Sequence, residues 1–201
     1  MILTEHQQDS LTELINIAFS RTAASLSDLT GQRVLLDAPQ VEVRPLVELS
    51  GLLEPRVQEG DVATVHQPFA GPMTGDAFLL LSYSDAVTLT NLLTGAQIQS
   101  NRLDISAREV LTEVGNILLN ACLGVFGNLL QMHITFAVPR LHLNALQALL
   151  ESIVITHDDQ QYALVVYTSF RLRDGAVSGY LVLVLGIASL ESLIKAIETL
   201  G

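Results

Sequence analysis

The chain repeats itself at a period of 100 residues, and this limits its possible folds more than any other feature. LTELINIAF (Leu11–Phe19) lies over LTEVGNILL (Leu111–Leu119), and residues 11–39 against 111–139 share seven identities. Background composition gives about two in such a window. The ends of the halves also correspond: GDAFLLLSYSDAVTLTNLLTG (Gly75–Gly95) resembles GYLVLVLGIASLESLIKAIETLG (Gly179–Gly201), each an apolar run followed by a helix-like segment. A single domain of two repeats, about 1–100 and 101–201, is expected, joined by the polar stretch Gly95–Asp104. At 201 residues it can bury a sizeable core without staples.

Periodicity places the elements. Leu11, Leu14, Ile15, Ala18, Phe19, Ala23, Leu26 and Leu29 recur at helical spacing over 9–29, with Gly31 suited to the helix end. Val34–Leu46 reads as extended, with Pro39 and Pro45 putting it at an edge or bend. An irregular stretch over 49–60 follows, then strands over 61–69 and 76–83 and a helix of two turns capped by Ser84. The second half predicts the longest helix over 105–130, with Ser106 and Glu109 as capping box. Strands at 133–143, 151–157, 161–170 and 177–186 come next, with His157–Gln160 as a hairpin turn, then a helix over 189–200. The expected class is α/β (α+β): a pseudo-twofold unit with two long antiparallel helices on a mostly antiparallel sheet. Shorter helices end each half, and neighbouring strands are linked too tightly for crossovers.

Composition removes several classes of function. Hydrophobic residues make up 49% of the chain and charged ones 15%, which excludes a charge-solvated disordered chain. The net charge of −11 and the single lysine, Lys195, argue against nucleic acid or an anionic membrane as partner. One cysteine, Cys122, forbids a disulfide framework and a cysteine zinc site. MILTEHQQ lacks the basic start of a signal peptide, and the apolar run Gly179–Leu190 is too short to cross a bilayer. A cytoplasmic protein is expected, and a monomer.

The chemistry-bearing residues sit on the two long helices. Glu13 and Asn16 are neighbours on one helix face, with Asp9 on the same stripe, and the apolar positions point elsewhere. The second helix repeats this as Glu109, Glu113 and Asn116. Each Asn precedes a proline by 23 residues, Pro39 and Pro139. One acid–amide pair is an ordinary solvated surface, but two in the same register are not explained by helix propensity, because Asn is a mediocre helix former.

The pattern Asp/Ser-x3-Glu-x2-Asn-x22-Pro resembles the signature of the CheC/CheX/FliY phosphatases of bacterial chemotaxis. Here it reads Asp9-x3-Glu13-x2-Asn16-x22-Pro39, then Glu109-x3-Glu113-x2-Asn116-x22-Pro139. Two copies in one chain, over about 200 residues, look most like CheC; CheX carries one copy and dimerises, and FliY adds a C-terminal flagellar-switch domain. The resemblance implies dephosphorylation of a CheY-like response-regulator receiver, with Glu13, Asn16, Glu113 and Asn116 as catalytic residues. It implies no cofactor bound by this chain, the receiver supplying Mg2+, and CheD as a possible further partner. In this scheme the Asn orients the attacking water and the Glu anchors the docked receiver.

The copies depart from the family pattern differently. Gly115 precedes Asn116 as in family members, whereas Ile15 precedes Asn16, a bulkier neighbour near the docking surface; Asp9 is matched by the longer Glu109. Gly115 and the lower charge of its half favour the second copy. The receiver is itself expected to be acidic, so association rests on short-range fit rather than steering. The alternatives are a non-catalytic module that binds a receiver or CheD, and a metal-dependent hydrolase. For the latter His133, His142 and His157-Asp158-Asp159 are weak ligand candidates. Cys122 reads as a buried hydrophobe, and Gly124 and Gly127 as sites of close packing between the long helices.

Overall fold

A computed structural model describes all residues except 1–2, 32, 58–59, 95–101, 130, 157–160, 173–174 and 199–201. Helix α1 (Glu5–Thr30) starts in a capping box. The Thr4 hydroxyl accepts from the Gln7 amide at 3.2 Å, and Gln7 Oε1 accepts from the Thr4 amide at 2.8 Å. It stops at Gly31, whose φ of 65° is the left-handed geometry glycine adopts freely. Then come β1 (Leu35–Leu36), β2 (Gln40–Pro45), a 3-10 turn at Leu46–Glu48 and α2 (Leu49–Leu53). The hairpin β3 (Asp61–Ala70) and β4 (Gly75–Ser82) and helix α3 (Tyr83–Thr94) complete the half.

The second half runs α4 (Ile105–Leu129), β5 (Thr135–Phe136), β6 (Arg140–Ala145), α5 (Leu146–Thr156), β7 (Gln161–Leu172), β8 (Gly175–Gly186) and α6 (Ile187–Glu198). The order helix, two short strands, short helix, long hairpin, helix thus recurs.

The strands of the two halves interleave. Among the described residues the sheet order is β1-β7-β8-β4-β3-β5, with β2 also on β7 and β6 also on β3, and every pairing is antiparallel. The short strands of each half therefore flank the long hairpin of the other. Pro39 and Pro139, which cannot donate to a ladder, fall at the breaks between β1 and β2 and between β5 and β6.

Both faces of the central hairpins are covered. Ala63, Val65, Phe69, Leu79, Leu164 and Leu183 join the larger core with α1, α3, α4 and α6. Val62, Phe78, Leu80, Val165 and Val182 join a smaller one with α2 and α5. Double coverage is why β4 and β8 read as unbroken apolar runs.

Several expectations need correcting. Residues 151–157 are not a strand, because α5 spans Leu146–Thr156 and buries Leu146, Leu149, Leu150 and Ile153 at helical spacing. The tetrapeptide His157–Gln160, expected as a hairpin turn, lies outside the described residues. The stretch from Leu49 is not wholly irregular, since α2 buries Leu49 and Leu53. Helix α1, at 26 residues, exceeds α4 at 25.

Two caps are also displaced. The Ser82 hydroxyl, not Ser84, accepts from the Asp85 amide at 3.0 Å, and α3 has 12 residues rather than two turns. Asp104 Oδ1 accepts from the Ala107 amide at 2.8 Å, so Ser106 lies inside α4 and is not its cap. Asp104→Ala should accordingly lower unfolding stability by about 1 kcal/mol, and Ser106→Ala by much less, in matched denaturant titrations. Helix α4 is long and apolar enough to cross a membrane by composition, but 56% of that stretch is buried inside this fold.

Candidate functional site

Helix α1 buries Leu11, Leu14, Ile15, Ala18 and Phe19, and this turns Asp9, Glu13 and Asn16 outward, all exposed. Among the described residues the side chains of Glu13 and Asn16 have no hydrogen-bonding or ionic partner; the Ser20 hydroxyl donates to the Asn16 backbone carbonyl at 2.9 Å. The first pair therefore presents a carboxylate and an amide with acceptor and donors all available.

The second pair is set differently. Helix α4 buries Leu111, Val114, Leu118 and Leu119 and exposes Glu109 and Glu113, but Asn116 is half-buried. Its Oδ1 accepts from Asn120 Nδ2 at 2.8 Å and from Gln67 Nε2 at 3.2 Å. Gln67, on β3 and 1% exposed, also donates to the Ala137 carbonyl at 3.0 Å. Both lone pairs of the Asn116 oxygen are thus occupied.

Gly115 explains the difference. A Cβ there would lie 2.7–2.8 Å from three side-chain carbons of Val65, so α4 lies against β3 as only glycine allows. Ile15 is fully buried in the core, which corrects the expectation that it crowds a docking surface. Gly124 and Gly127 do not mediate packing between the long helices: Gly124 has open space, and Gly127 approaches the Met132 carbonyl. Pro39 is buried and Pro139 half-buried, each beside the strand break of its half.

Gln67 and Asn120 were not foreseen. The signal for Gln67 is a polar residue in the inward register of Ala63, Val65 and Phe69; for Asn120 it is a second amide one turn after Asn116. Beside them Phe136 and Val138 are exposed apolar side chains, flanking the Ala137 that Gln67 holds.

The remaining candidates are placed as follows. Cys122 is fully buried, and burial pushes its thiol far above the usual range. His133 is exposed. The His142 ring lies 6.2 Å from that of His66. Burial, and then the charges of His66 and Arg140, hold its pKa below that of a free histidine. His66 stacks on Phe78 at 4.5 Å and shares a 2.5 Å hydrogen bond with Asp76. Among the described residues no three His, Cys, Asp or Glu side chains gather as a metal site.

No protein-family model matches the chain. In sequence it is 24% identical over 171 residues to the CheY-P phosphatase CheC of Bacillus subtilis (strain 168), spanning 83% of this chain and 81% of that protein. In fold it is similar to Thermotoga maritima FliY, with a TM-score of 0.78 at 16% identity and 99% of both chains covered. FliM in its complex with FliG from H. pylori matches with a TM-score of 0.66 at 12% identity, over 96% of this chain and all 100% of that one. These likenesses support the resemblance to the CheC/CheX/FliY family.

Proposed function

We propose that this chain, CheC-like in sequence and FliY-like in fold, dephosphorylates the aspartyl phosphate of a response-regulator receiver. The observation that carries the reading is the pair on α1: Glu13 and Asn16, one turn apart, exposed, with no partner among the described residues.

An acyl phosphate is already a good electrophile. Hydrolysis lacks a water held in line with the phosphorus. The Asn16 oxygen accepts a hydrogen bond from that water and so aims its lone pair at the phosphorus, while the NH2 donates to a phosphoryl oxygen. The water oxygen bonds to phosphorus, the bond to the receiver's aspartate oxygen breaks, and the water proton leaves with the phosphate. Glu13 pairs with a cation on the receiver and fixes the approach. The divalent ion that offsets phosphoryl charge is the receiver's, so this chain contributes orientation alone.

The amide geometry favours the first site over the second, because Asn116 has no acceptor to offer a water. The exposed Phe136 and Val138 give the second site an apolar rim suited to contact with a partner surface.

A second reading, a non-catalytic binding module, is favoured by the fold's likeness to FliM bound to FliG. Following phosphate loss from a phosphorylated receiver separates the two. A phosphatase shortens the phosphoryl lifetime, and a binding module titrates with the receiver while leaving that lifetime unchanged.

A further inference from the structure

Asn116 is closed upon by two side chains outside the motif, and the closure is specific to one half. The Gln67 Nε2 faces the Ala137 carbonyl, since an oxygen there would meet an oxygen. With that orientation set, the neighbouring Asn116 atom within 3.2 Å must be its oxygen. Asn120 then donates to the same oxygen at 2.8 Å.

This arrangement is not built for stability. Gln67 Oε1 and Asn120 Oδ1 are buried without partners among the described residues, a cost an apolar side chain would avoid.

The first half has the same backbone frame. The Asp37 amide donates to the Ser169 carbonyl as the Ala137 amide donates to that of Pro68. Register through β2–β7 and β6–β3 puts Thr168 where Gln67 stands in the other half. The Thr168 hydroxyl donates to the Asp37 carbonyl at 3.0 Å, as Gln67 does to Ala137, but is too short to reach the helix amide. Ser20 takes the place of Asn120 and bonds backbone instead.

We infer that Gln67 is a positioning residue that holds the Asn116 carboxamide oxygen turned into the protein, so that the second site is latched and the first is the hydrolytic one. The inference rests on the phosphatase reading. The latch follows from hydrogen-bond capacity: a carbonyl oxygen with both lone pairs filled cannot also accept from a nucleophilic water. Releasing Gln67 restores an acceptor at Asn116.

The test uses the full chain and a phosphorylated receiver. Asn16→Ala should fall close to the spontaneous rate. Asn16→Ala with Gln67→Met should regain about tenfold, the worth of one freed hydrogen-bonding position, and adding Asn116→Ala should remove that gain. Gln67→Met keeps length and removes an unpartnered oxygen, and Gln67→Leu serves as a second variant. No gain from either Gln67 variant, or a gain that survives Asn116→Ala, overturns the latch.

An NMR measurement is independent of turnover. In the otherwise unaltered protein, Asn116→Ala should shift the Gln67 side-chain amide signals and speed exchange of one of its two protons. Unchanged Gln67 signals overturn the latch even if the wild type proves to be no phosphatase. A wild type that leaves the receiver's phosphate untouched fails the phosphatase reading instead.

Discussion

Asn16→Ala should slow receiver dephosphorylation by about a hundredfold, the usual effect of losing the group that orients an attacking water. Asn116→Ala should cost no more than a few-fold in the same assay. The asymmetry follows from the hydrogen bonds: the Asn16 side-chain amide is exposed and has no partner among the described residues, whereas the Asn116 oxygen is held by Gln67 and Asn120. Replacing Asn16 removes the acceptor without touching the core, because Leu14, Ile15 and Phe19 carry the packing of that turn. The variant should therefore melt like the wild type and still bind the receiver, its loss appearing in the hydrolytic step. Glu13→Ala should show the opposite pattern, weakened receiver binding with the rate at saturation less affected. If Asn116→Ala proves the more damaging of the two, the assignment of the first site is wrong.

Gly115→Ile, which installs the first copy's residue in the second, should destabilise the fold toward the upper end of the about 1–3 kcal/mol seen on overpacking. That corresponds to a melting temperature lower by about 5–10 °C for a chain of this size. Even the Cβ would sit 2.7 Å from Val65 carbons, and the rest of the isoleucine has to push α4 off β3. The gain in helix propensity over glycine, about 0.5 kcal/mol, is too small to offset this. Val65→Ala should relieve part of the strain, so a double-mutant cycle should give a coupling of about 1 kcal/mol or more. Simple additivity would show that Gly115 does not mediate this contact. The shift should also part Asn116 from Gln67, linking the packing of the helix to the state of the second site.

What the sequence made legible was governed by short-range rules. The two long helices followed from apolar spacing, and Glu13, Asn16 and Glu113 fell on exposed stripes because the heavy side chains of α1 and α4 occupy the other face. Helix α5 was misread because Ile153-Val154-Ile155 is a β-branched run, favoured in strands, whereas Leu146, Leu149 and Leu150 draw it onto the smaller core. Asp104 and Ser106 are equally good caps by type, and the choice was settled by where the chain leaves Leu103 buried.

The second site resisted prediction for a different reason. Gln67 reaches Asn116 from 49 residues away, through a sheet that pairs β3 of one half with β6 of the other. Gly115 was legible only as the glycine that precedes Asn116, yet its contact is with Val65. Both are consequences of strand exchange between halves, which no local pattern encodes.

The most direct check of the account is the lifetime of a receiver's aspartyl phosphate with and without this protein, beside the Asn16→Ala/Asn116→Ala variant. A lifetime shortened by the wild type and restored to the spontaneous value by the double variant is the predicted result. A lifetime untouched by the wild type, or shortened equally by the variant, would contradict the claim that these carboxamides complete a reaction centre supplied by the partner.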